Sequence, residues 1–385
     1  MFAHLRTIQL TQFAPARAKK KLIIDELQPE HSKYLCDQKI DGERYIIQTD
    51  RPTTPSSSTP SYQHGITSRR ESEVTGRFVE KTDRVPHLAN HSQLPSQSMI
   101  DCEFVSSGDM VLIPLPDWMW DKLHLPNHPH SKWLRNKFDG HLPVYPHVSN
   151  TVSIMGSLAQ EAQKKQQERG LIWAYAFDIV QYMNKDLTQN TQIQRKMFLA
   201  KQLENVNPEL GLVMMPSWIN LSVRDMEFFF YLITDVPIEG EGLILKDPTQ
   251  KYNAASNWYK IKRDWPADVV YTGVSKVGEM GKTGKMFGMA ASLEIGVYDK
   301  QGTLQPIGWI SAIRGGEAGL QTPEEHAATW TGKAIEIRHN GLQKEPAAPL
   351  GYTLRHPRFR RERNDKNPTD CTWEALYEEA KTTRN

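Results

Sequence analysis

The feature of the sequence that most constrains its fold is a change of pattern near residue 267. From that point, short β-strand patterns alternate with glycine-containing turns. These segments are 268–278 (DVVYTGVSKVG), 288–299 (GMAASLEIGVYD), 308–316 (GWISAIRGG) and 333–342 (KAIEIRHNGL). Short strands at this spacing are typical of a small β-barrel. The pattern therefore predicts two domains, residues 1–266 and 267–385, with a boundary near Pro266.

The first of these regions has longer and more varied patterns. Helices are predicted over 153–169, closed by Gly170, and over 191–206 and 222–234. Between them, the run LIWAYAFDIVQYM (171–183) has the aromatic and β-branched composition of a buried strand. Helices and strands thus alternate in this part of the chain.

Two segments of the first region lack such periodicity. Residues 51–61 are rich in Pro, Ser and Thr and are interpreted as a surface loop. Residues 114–150 carry many Pro and His residues and are interpreted as an insertion. Its His124, His128 and His130 are expected to be incidental loop histidines rather than a metal site.

The composition excludes several classes of protein. With 38% hydrophobic residues, the 385-residue chain has enough apolar mass for real cores. No stretch approaches the roughly 20 apolar residues of a membrane span, and the amino-terminal segment lacks the apolar core of a secretory signal. We therefore expect a cytoplasmic protein with no membrane partner. Cys36, Cys102 and Cys371 form no CxxC pair, which favours reduced, buried thiols.

Positive charge is concentrated in two places, although the net charge is only +2. The first cluster is Arg17, Lys19, Lys20 and Lys21, and the second is Arg355, Arg358, Arg360, Arg361, Arg363 and Lys366. Local clusters of this kind suit a polyphosphate partner. A solvated surface is the alternative interpretation, and it is weaker for the second cluster.

Lys39 lies in the run LCDQKIDGERYIIQ (35–48), between apolar flanks and just before an Asp-Gly turn. A lysine amine attacks only when it is unprotonated, and a free lysine titrates near pH 10.4. Burial and neighbouring cations lower that value and make lysine a usable nucleophile. The turn can hold the amine beside Arg44. A solvated lysine at the edge of a strand is the simpler alternative.

Acids and lysines also interrupt other strand patterns. Asp101 and Glu103 in MIDCEFV (99–105) share one face, because side chains alternate along a strand. Glu241 and Lys246 flank a short apolar run, and Lys260 and Lys262 share a face of NWYKIKRDW (257–265). Charged groups rarely lie inside strand patterns without a partner. A triphosphate with a divalent cation would satisfy all of them together.

Taken singly, several residues have ordinary structural interpretations. Phe177 fits a core aromatic, and Asp178 fits a turn cap. Arg195 begins an amphipathic helix pattern and is expected to be structural, whereas Cys102 faces away from its acidic neighbours and is expected to pack.

The order of motifs resembles the covalent nucleotidyltransferase superfamily, and specifically ATP-dependent DNA ligases of the compact, phage-like type. The matching segments are KIDGER (39–44), TSRRE (67–71), IDCEFV (100–105), YAFDIV (175–180), EGLILK (241–246), WYKIK (258–262) and RHPRFRRERNDK (355–366). The resemblance implies an α+β fold. Its nucleotidyltransferase domain has antiparallel sheets with helices, and a carboxyl-terminal OB-fold barrel carries the last motif.

The resemblance also implies roles for individual residues. Lys39 would attack the α-phosphate of ATP and hold AMP. Asp37 would lie near the adenine amino group, and Phe177 would stack on adenine. Arg44 and Arg69 would contact the ribose or the nick 5′-phosphate, and Glu103 would contact a ribose hydroxyl or a metal. The phosphate contacts would be Lys260 and Lys262 at the α-phosphate, and Arg363, Asp365 and Lys366 at the β- and γ-phosphates. Glu103 and Glu241 would hold Mg²⁺.

The implied activity is the sealing of nicked double-stranded DNA by a monomer in a bacterial or phage-infected cell. Candidate DNA contacts are Arg44, Arg69, Lys19, Lys20, Lys282, Lys285, Arg358 and Arg360. The nearest alternatives are an RNA ligase and an mRNA capping guanylyltransferase. A non-catalytic nucleic-acid-binding protein would need neither Lys39 nor the paired acids.

Overall fold

The computed structural model describes residues 20–22, 24–50, 62–71, 78–94, 96–146, 148–235, 238, 240–252, 258–262, 265–277, 289–311 and 321–382. The chain divides into two compact units, Met1–Lys262 and Arg263–Asn385. The division falls four residues before the predicted boundary, because Trp265 and Pro266 begin a long strand of the second unit. The segment 51–61, predicted as a loop, lies outside the described residues.

The described strands of the first unit belong mainly to two sheets. They are β1 (Lys20–Leu22), β2 (Leu35–Lys39), β3 (Glu43–Gln48), β4 (Gly65–Glu71), β5 (Phe78–Glu80), β6 (Met99–Ser106), β7 (Val111–Pro114), β8 (His141–Val144), β9 (Ile172–Tyr182), β10 (Lys185–Asp186), β11 (Leu212–Met214), β12 (Ser217–Trp218), β13 (Gly242–Lys246) and β14 (Trp258–Lys262). Sheet 1 has the order β1-β14-β13-β2-β12, and sheet 2 has the order β10-β9-β6-β3-β4-β5 with β11 beside β9. Strands β7 and β8 form a separate pair. The pairings are antiparallel except β1 with β14 and β11 with β9.

Helices of the first unit connect and cover these sheets. They are α1 (Pro86–Ala89), α2 (Asp117–Asp121), α3 (Pro129–Lys137), α4 (Ser149–Gly156), α5 (Ala159–Arg169), α6 (Gln192–Leu203) and α7 (Val223–Thr234). Short 3-10 helices occupy Ile24–Glu26, Pro29–Lys33, Thr82–Arg84, Ser107–Asp109 and Pro208–Leu210. The strand predicted over 171–183 and the helices predicted over 191–206 and 222–234 are therefore present as β9, α6 and α7.

The single helix predicted over 153–169 is wrong, because two helices, α4 and α5, meet at an extended Ser157 and Leu158. Gly156 and Ser157 are poor helix formers. The extended break also gives the Ser157 carbonyl a hydrogen bond from Arg84 Nε at 2.9 Å. Tertiary contact therefore stabilises the interruption.

Residues 114–150, interpreted as an insertion because they show little periodicity, contain regular structure. This segment contains α2, α3 and β8, and its Trp120, Leu134 and Tyr145 belong to the main core. Its prolines lie where helices tolerate them: Pro129 is the first residue of α3, where the missing N–H costs no helical hydrogen bond.

Two apolar layers lie on opposite faces of sheet 2. Alternation along β6 puts Met99 and Val105 in one layer, whereas Ile100, Cys102 and Phe104 lie in the other. The first layer also takes residues from sheet 1, and the second takes residues from α4, α5 and α6. All three cysteines are buried and free, as expected.

The second unit is built on a five-stranded antiparallel sheet, sheet 3, with the order β17-β16-β15-β18-β21. Its elements are β15 (Trp265–Val277), β16 (Ala290–Tyr298), β17 (Leu304–Ser311), α8 (Pro323–Trp330), β18 (Ala334–His339), β19 (Leu342–Lys344), β20 (Tyr352–Leu354), β21 (Arg358–Glu362), a 3-10 helix at Pro368–Asp370, and α9 (Trp373–Thr382). Strands β19 and β20 form a separate pair. Strands β15, β16, β17 and β18 overlap the four predicted glycine-punctuated segments, of which residues 278, 288 and 312–316 lie outside the described residues. Alternate residues such as Val269, Ile295 and Ile337 form a core of their own.

Candidate active site

The first unit contains a cavity of about 800 Å³ that collects most of the predicted nucleotide-binding residues. Its wall is formed by Asp37, Gln38, Lys39, Ile40, Gly42, Glu43, Arg44, Tyr45, Ser68, Glu103, Phe177, Met215, Ile244, Lys246, Trp258, Lys260 and Lys262. These residues come from both sheets of the unit. The volume is in the range of small-ligand sites.

Lys39 lies at the end of β2, and sheet 1 sets its neighbours. Gly242 pairs with Lys39 on one side and with Lys262 on the other, so β13 brings the preceding Glu241 between the two lysines. The Glu241 carboxylate accepts hydrogen bonds from both ammonium groups. Burial would raise the pKa of Glu241, but the two lysines outweigh it and hold that pKa below its usual value.

The turn after Lys39 has no room for a side chain at its glycine. A β-carbon on Gly42 would lie 2.5 Å from the Phe104 carbonyl oxygen and 2.9 Å from the Glu103 side chain. Glycine therefore permits the close approach of the turn to β6. This contact brings Lys39 and Glu103 to the same side of the cavity.

Glu103 is the second carboxylate at this position. Burial raises its pKa to about 7, although Lys39 and Arg44 favour its ionised form, and Glu241 adds to the increase. Two carboxylates near each other in a buried site cost free energy that a divalent cation would relieve. Glu103 and Glu241 therefore fit the predicted Mg²⁺ ligands. Among the described residues no group of three or more His, Cys, Asp or Glu side chains that could hold a metal ion occurs.

Arg44 is fixed by Asp101, a residue to which the sequence motifs gave no role. The guanidinium donates from Nε to Asp101 Oδ1 at 2.7 Å and from Nη2 to Oδ2. The Tyr252 hydroxyl donates to Asp101 Oδ2 at 2.8 Å. Sequence alternation placed Asp101 on the same face as Glu103, but its partner could be found only from the β3–β6 register.

Phe177 lines the cavity rather than serving only as core. In the β6–β9 pairing Asp101 lies opposite Asp178 and Cys102 opposite Ala176, so Phe177 is the extra residue of a β-bulge. Bulges redirect a side chain. The ring has the Arg44 guanidinium 4.9 Å and the Lys246 ammonium 4.8 Å from its centroid.

Asp37 and Lys246 form a buried ion pair at one end of the cavity, both below 5% exposed. The Ser217 hydroxyl donates to the second Asp37 oxygen. Lys246 also lies 4.8 Å from the centroid of the Trp258 ring. The sequence groups Lys246 with the charged residues that a triphosphate would satisfy, whereas the structure pairs it with Asp37. The Asp37 carboxylate is thus engaged by protein groups next to the predicted adenine position.

Lys196 lies behind the same wall and was missed by sequence reasoning. Its ammonium is fully buried and donates to the Met215 carbonyl at 2.7 Å. Burial lowers its pKa to about 8, and Asp37 only partly opposes this. Met215 in turn donates its N–H to Ala176 at 2.8 Å, so this lysine supports the backbone beside Phe177. A lone lysine in an amphipathic helix pattern gives no signal for this.

Asp178 does not cap a turn, contrary to the simpler interpretation. Its carboxylate forms a two-point ion pair with Arg195, with Nε–Oδ1 and Nη2–Oδ2 both 2.9 Å. Arg195 therefore has the structural role that the sequence predicted for it. The pair joins β9 to α6 behind the cavity.

The last motif lies in the second unit. Arg363 and Lys366 both donate to Asp268 of β15, and Arg363 also forms a two-point pair with Asp365. Of the candidate DNA contacts in β21, Arg360 is exposed, and Arg358 donates to Asn340 at 3.4 Å.

Other predicted residues are only partly covered by the structure. Arg69 lies in β4, and Lys20 pairs with Tyr259 through β1, but their side chains are outside the described part. Lys19, Lys282 and Lys285 lie outside the described residues altogether. Of the three histidines that the sequence singled out in 114–150, His128 and His130 bond backbone carbonyls.

Comparison with known proteins identifies the family. Residues 15–262, more than half of the chain, match the family model of the ATP dependent DNA ligase domain. The chain belongs to the ATP-dependent DNA ligase family. The mixed fold with antiparallel sheets is that of the ligase nucleotidyltransferase, as the resemblance implied.

Individual relatives agree with this assignment. A DNA ligase of Methanococcus aeolicus is 31% identical over 217 residues, which cover 51% of this chain and 36% of the relative. A DNA ligase of Methanococcus maripaludis is 27% identical over 235 residues, covering 54% and 39%. A probable DNA ligase of Streptomyces coelicolor is 29% identical over 147 residues, covering 34% and 27%. The matches thus span well under half of these ligases.

A solved structure from work on Lig E DNA ligases shares the fold. It has a TM-score of 0.54 and 15% identity, and the match covers 91% of this chain and 98% of that one. At this identity the likeness concerns the fold alone.

Within the described part of the chain, no helix combines the length and apolar character needed to cross a bilayer.

Proposed function

We propose that this chain is an ATP-dependent DNA ligase that seals a 3′-hydroxyl to a 5′-phosphate in nicked duplex DNA. Three displacements at phosphorus would follow one another. Lys39 attacks ATP, the nick phosphate attacks lysyl-AMP, and the 3′-hydroxyl attacks the DNA-adenylate. Each step is a problem of positioning and of charge neutralisation.

The observation that carries this proposal is the surroundings of Lys39. Its amine faces a nucleotide-sized cavity that also contains Lys260, Lys262 and an aromatic ring, Phe177. A solvated edge lysine would need no such surroundings. The side chain is only 19% exposed, which disfavours the simple surface interpretation.

The first displacement sets a requirement on the Lys39–Glu241 pair. Only the neutral amine attacks, so the Lys39 ammonium, which donates to Glu241, must lose a proton before the displacement. As the Nζ–phosphorus bond forms, the bond to the β-phosphate oxygen breaks and pyrophosphate leaves with the electron pair. Lys262, which shares Glu241, keeps that carboxylate paired when Lys39 departs from it.

Further roles follow from the family resemblance, and the presence of Phe177, Arg44, Lys260 and Lys262 in the cavity wall supports them. Phe177 stacks on adenine beside Asp37, and Arg44 binds ribose or the nick 5′-phosphate together with Arg69. Lys260 and Lys262 bind the α-phosphate. Glu103 and Glu241 would hold Mg²⁺, which would neutralise phosphate charge.

The second unit completes the proposed enzyme as an OB-fold domain. The strand order of sheet 3 supports that assignment, as does the position of α8 in the chain between β17 and β18. Arg363, Asp365 and Lys366 orient the β- and γ-phosphates. Basic residues including Arg358 and Arg360 contact the DNA backbone, so binding is expected to be salt-sensitive and sequence-tolerant. A monomeric, cytoplasmic protein remains our expectation.

The test of this function is transfer of label from α-labelled ATP to the protein, followed by a chase with nicked duplex. The Lys39→Ala variant should take up no label, because the attacking amine is missing. Lys201→Ala, at an exposed position of α6, is the matched control and should label normally. Label retained by the Lys39→Ala protein would reject Lys39 as the nucleophile.

The same assay separates the alternatives. Labelling by GTP instead of ATP would indicate a capping enzyme. Joining of RNA but not DNA strands at a nick would indicate an RNA ligase. A wild-type protein that forms no acid-labile adduct with either nucleotide would reject the enzyme assignment altogether.

A further inference from the structure

Asp268 of β15 holds two cations of the last motif together. Its two oxygens each accept a hydrogen bond from Arg363 Nη1 at 2.9 Å. One of them also accepts a hydrogen bond from Lys366 Nζ at 2.8 Å. The guanidinium and the ammonium therefore meet at one carboxylate.

The other edge of Arg363 is also fixed. Its Nε and Nη2 donate to the two oxygens of Asp365 at 2.8 and 3.0 Å. The guanidinium is thus held along two edges by two carboxylates, one from β15 and one from its own loop. Hydrogen bonds along two edges fix the orientation of the planar guanidinium.

Strand register explains why Asp268 stands at this position. Asp268 pairs with Glu336 of β18, and Glu336 pairs with Arg361 of β21, which donates to it at 2.9 Å. The loop after β21 then returns Arg363 and Lys366 across the same face of sheet 3. Asp268 is 13% exposed and its two cationic partners 20% and 24% exposed, so the cluster is partly shielded while its cations still reach solvent.

Two adjacent cations repel, and a carboxylate between them removes that repulsion. The carboxylate also holds the two long side chains in place before a ligand binds. Without it, these side chains would lose much of their rotamer freedom on binding. A pre-formed cationic pair can then bind an incoming polyphosphate at a lower entropic cost.

We propose that Asp268 is a positioning residue for the first displacement, holding Arg363 and Lys366 in the arrangement that meets the β- and γ-phosphates of ATP. This inference rests on the proposed function. It assigns Asp268 no contact with the reacting atoms. Because pyrophosphate is absent from the later steps, the contribution of Asp268 is confined to self-adenylation.

The experiment compares Asp268→Asn with the wild-type protein in two separate reactions. The first is formation of labelled enzyme from α-labelled ATP over a range of ATP concentrations. The second is joining of a nick whose 5′-phosphate already carries AMP, without ATP. The variant should lose on the order of tenfold in the apparent kcat/KM of the first reaction, mostly through a higher KM for ATP, and should keep the second reaction within about twofold.

Two further variants separate positioning from general damage. Asp370→Asn makes the same change of charge at an exposed residue of the second unit and should behave as wild type. Asp268→Glu keeps the carboxylate and should recover part of the first reaction. Equal loss in both reactions, or unchanged self-adenylation in Asp268→Asn, would overturn the inference.

Failure of the proposed function has a different signature. If the wild-type protein forms no lysyl-AMP, or forms it at a residue other than Lys39, the ligase proposal fails before Asp268 is tested. If the wild-type protein passes both assays and Asp268→Asn matches it, only the role of Asp268 is rejected.

Discussion

Arg195 and Asp178 form an ion pair in which both side chains are fully buried. The remaining donors of Arg195 are used as well: Nη2 donates to Gln192 at 2.6 Å and Nη1 to the Asn190 carbonyl at 2.7 Å. A buried pair of this kind offsets its own desolvation cost only while both members are present. Its importance is therefore revealed by removing one partner.

We expect Arg195→Met to lower the free energy of unfolding by about 3–5 kcal/mol, because Asp178 would remain as an uncompensated buried charge. Arg135→Met removes an arginine whose partner Asp117 is exposed, and should cost about 1 kcal/mol or less. Urea denaturation of the two variants measures the difference. Similar losses in both would contradict the buried-pair argument.

At the scale of elements, two histidines at the start of α3 form hydrogen bonds with the backbone of neighbouring segments. His128 Nε2 bonds the Ala200 carbonyl of α6 at 2.9 Å. His130 bonds the Val206 carbonyl through Nε2 at 2.8 Å and accepts the Met214 N–H of β11 through Nδ1 at 3.0 Å. The second ring must be neutral to accept that hydrogen bond. Docking of α3 is therefore linked to protonation.

Burial lowers the pKa of His130 to about 4, from an ordinary value near 6.5. Below pH 6.5 the unfolded chain binds the proton and the folded chain does not, so stability falls as the pH drops towards 4. The loss from this group should reach up to about 3 kcal/mol. Above pH 6.5 the group should cause no change.

Chemical denaturation between pH 7.5 and pH 4.5 tests this linkage in the wild-type protein and in His130→Asn. The variant should be less stable at pH 7.5 but should lose less on acidification. Groups that titrate alike in both proteins cancel in this comparison. Parallel pH profiles for the two proteins would show that His130 does not carry the effect.

At the scale of the whole molecule, the proposed chemistry divides between two units with separate cores. The cavity with Lys39 belongs entirely to the first unit, whereas Arg363 belongs to the second. If the second unit contributes only to the step that uses β- and γ-phosphates, loss of its arginine should be step-specific.

Arg363→Ala should therefore impair self-adenylation more than sealing of a pre-adenylated nick. The physical reason is that the guanidinium neutralises charge on a leaving group that is present only in the first step. Single-turnover rates of the two reactions measure the split. An equal fall in both rates would show that the motif assignment at Arg363 is wrong.

Much of the architecture was readable from local pattern. Alternating polarity gave the two faces of β6, composition gave β9, and the glycine-punctuated strands predicted a separate β-rich unit. The break between α4 and α5 was harder to predict from the sequence. The interruption at Ser157 depends on a contact with Arg84, which is distant in sequence. Likewise, 114–150 joins the core through scattered large residues without a clear period, which pattern analysis does not detect.

The sequence by itself determined which residues are unusual: a lysine before an Asp-Gly turn, acids inside strands, and arginines around a phenylalanine. It also determined their order, which carried the family. Only the tertiary structure decided which of these groups meet, such as Glu241 with Lys39, Asp37 with Lys246, and Asp268 with Arg363. The physical reason is that a strand pattern fixes the face on which a side chain lies, whereas its partner depends on strand order and register between segments separated by 95 to 209 residues.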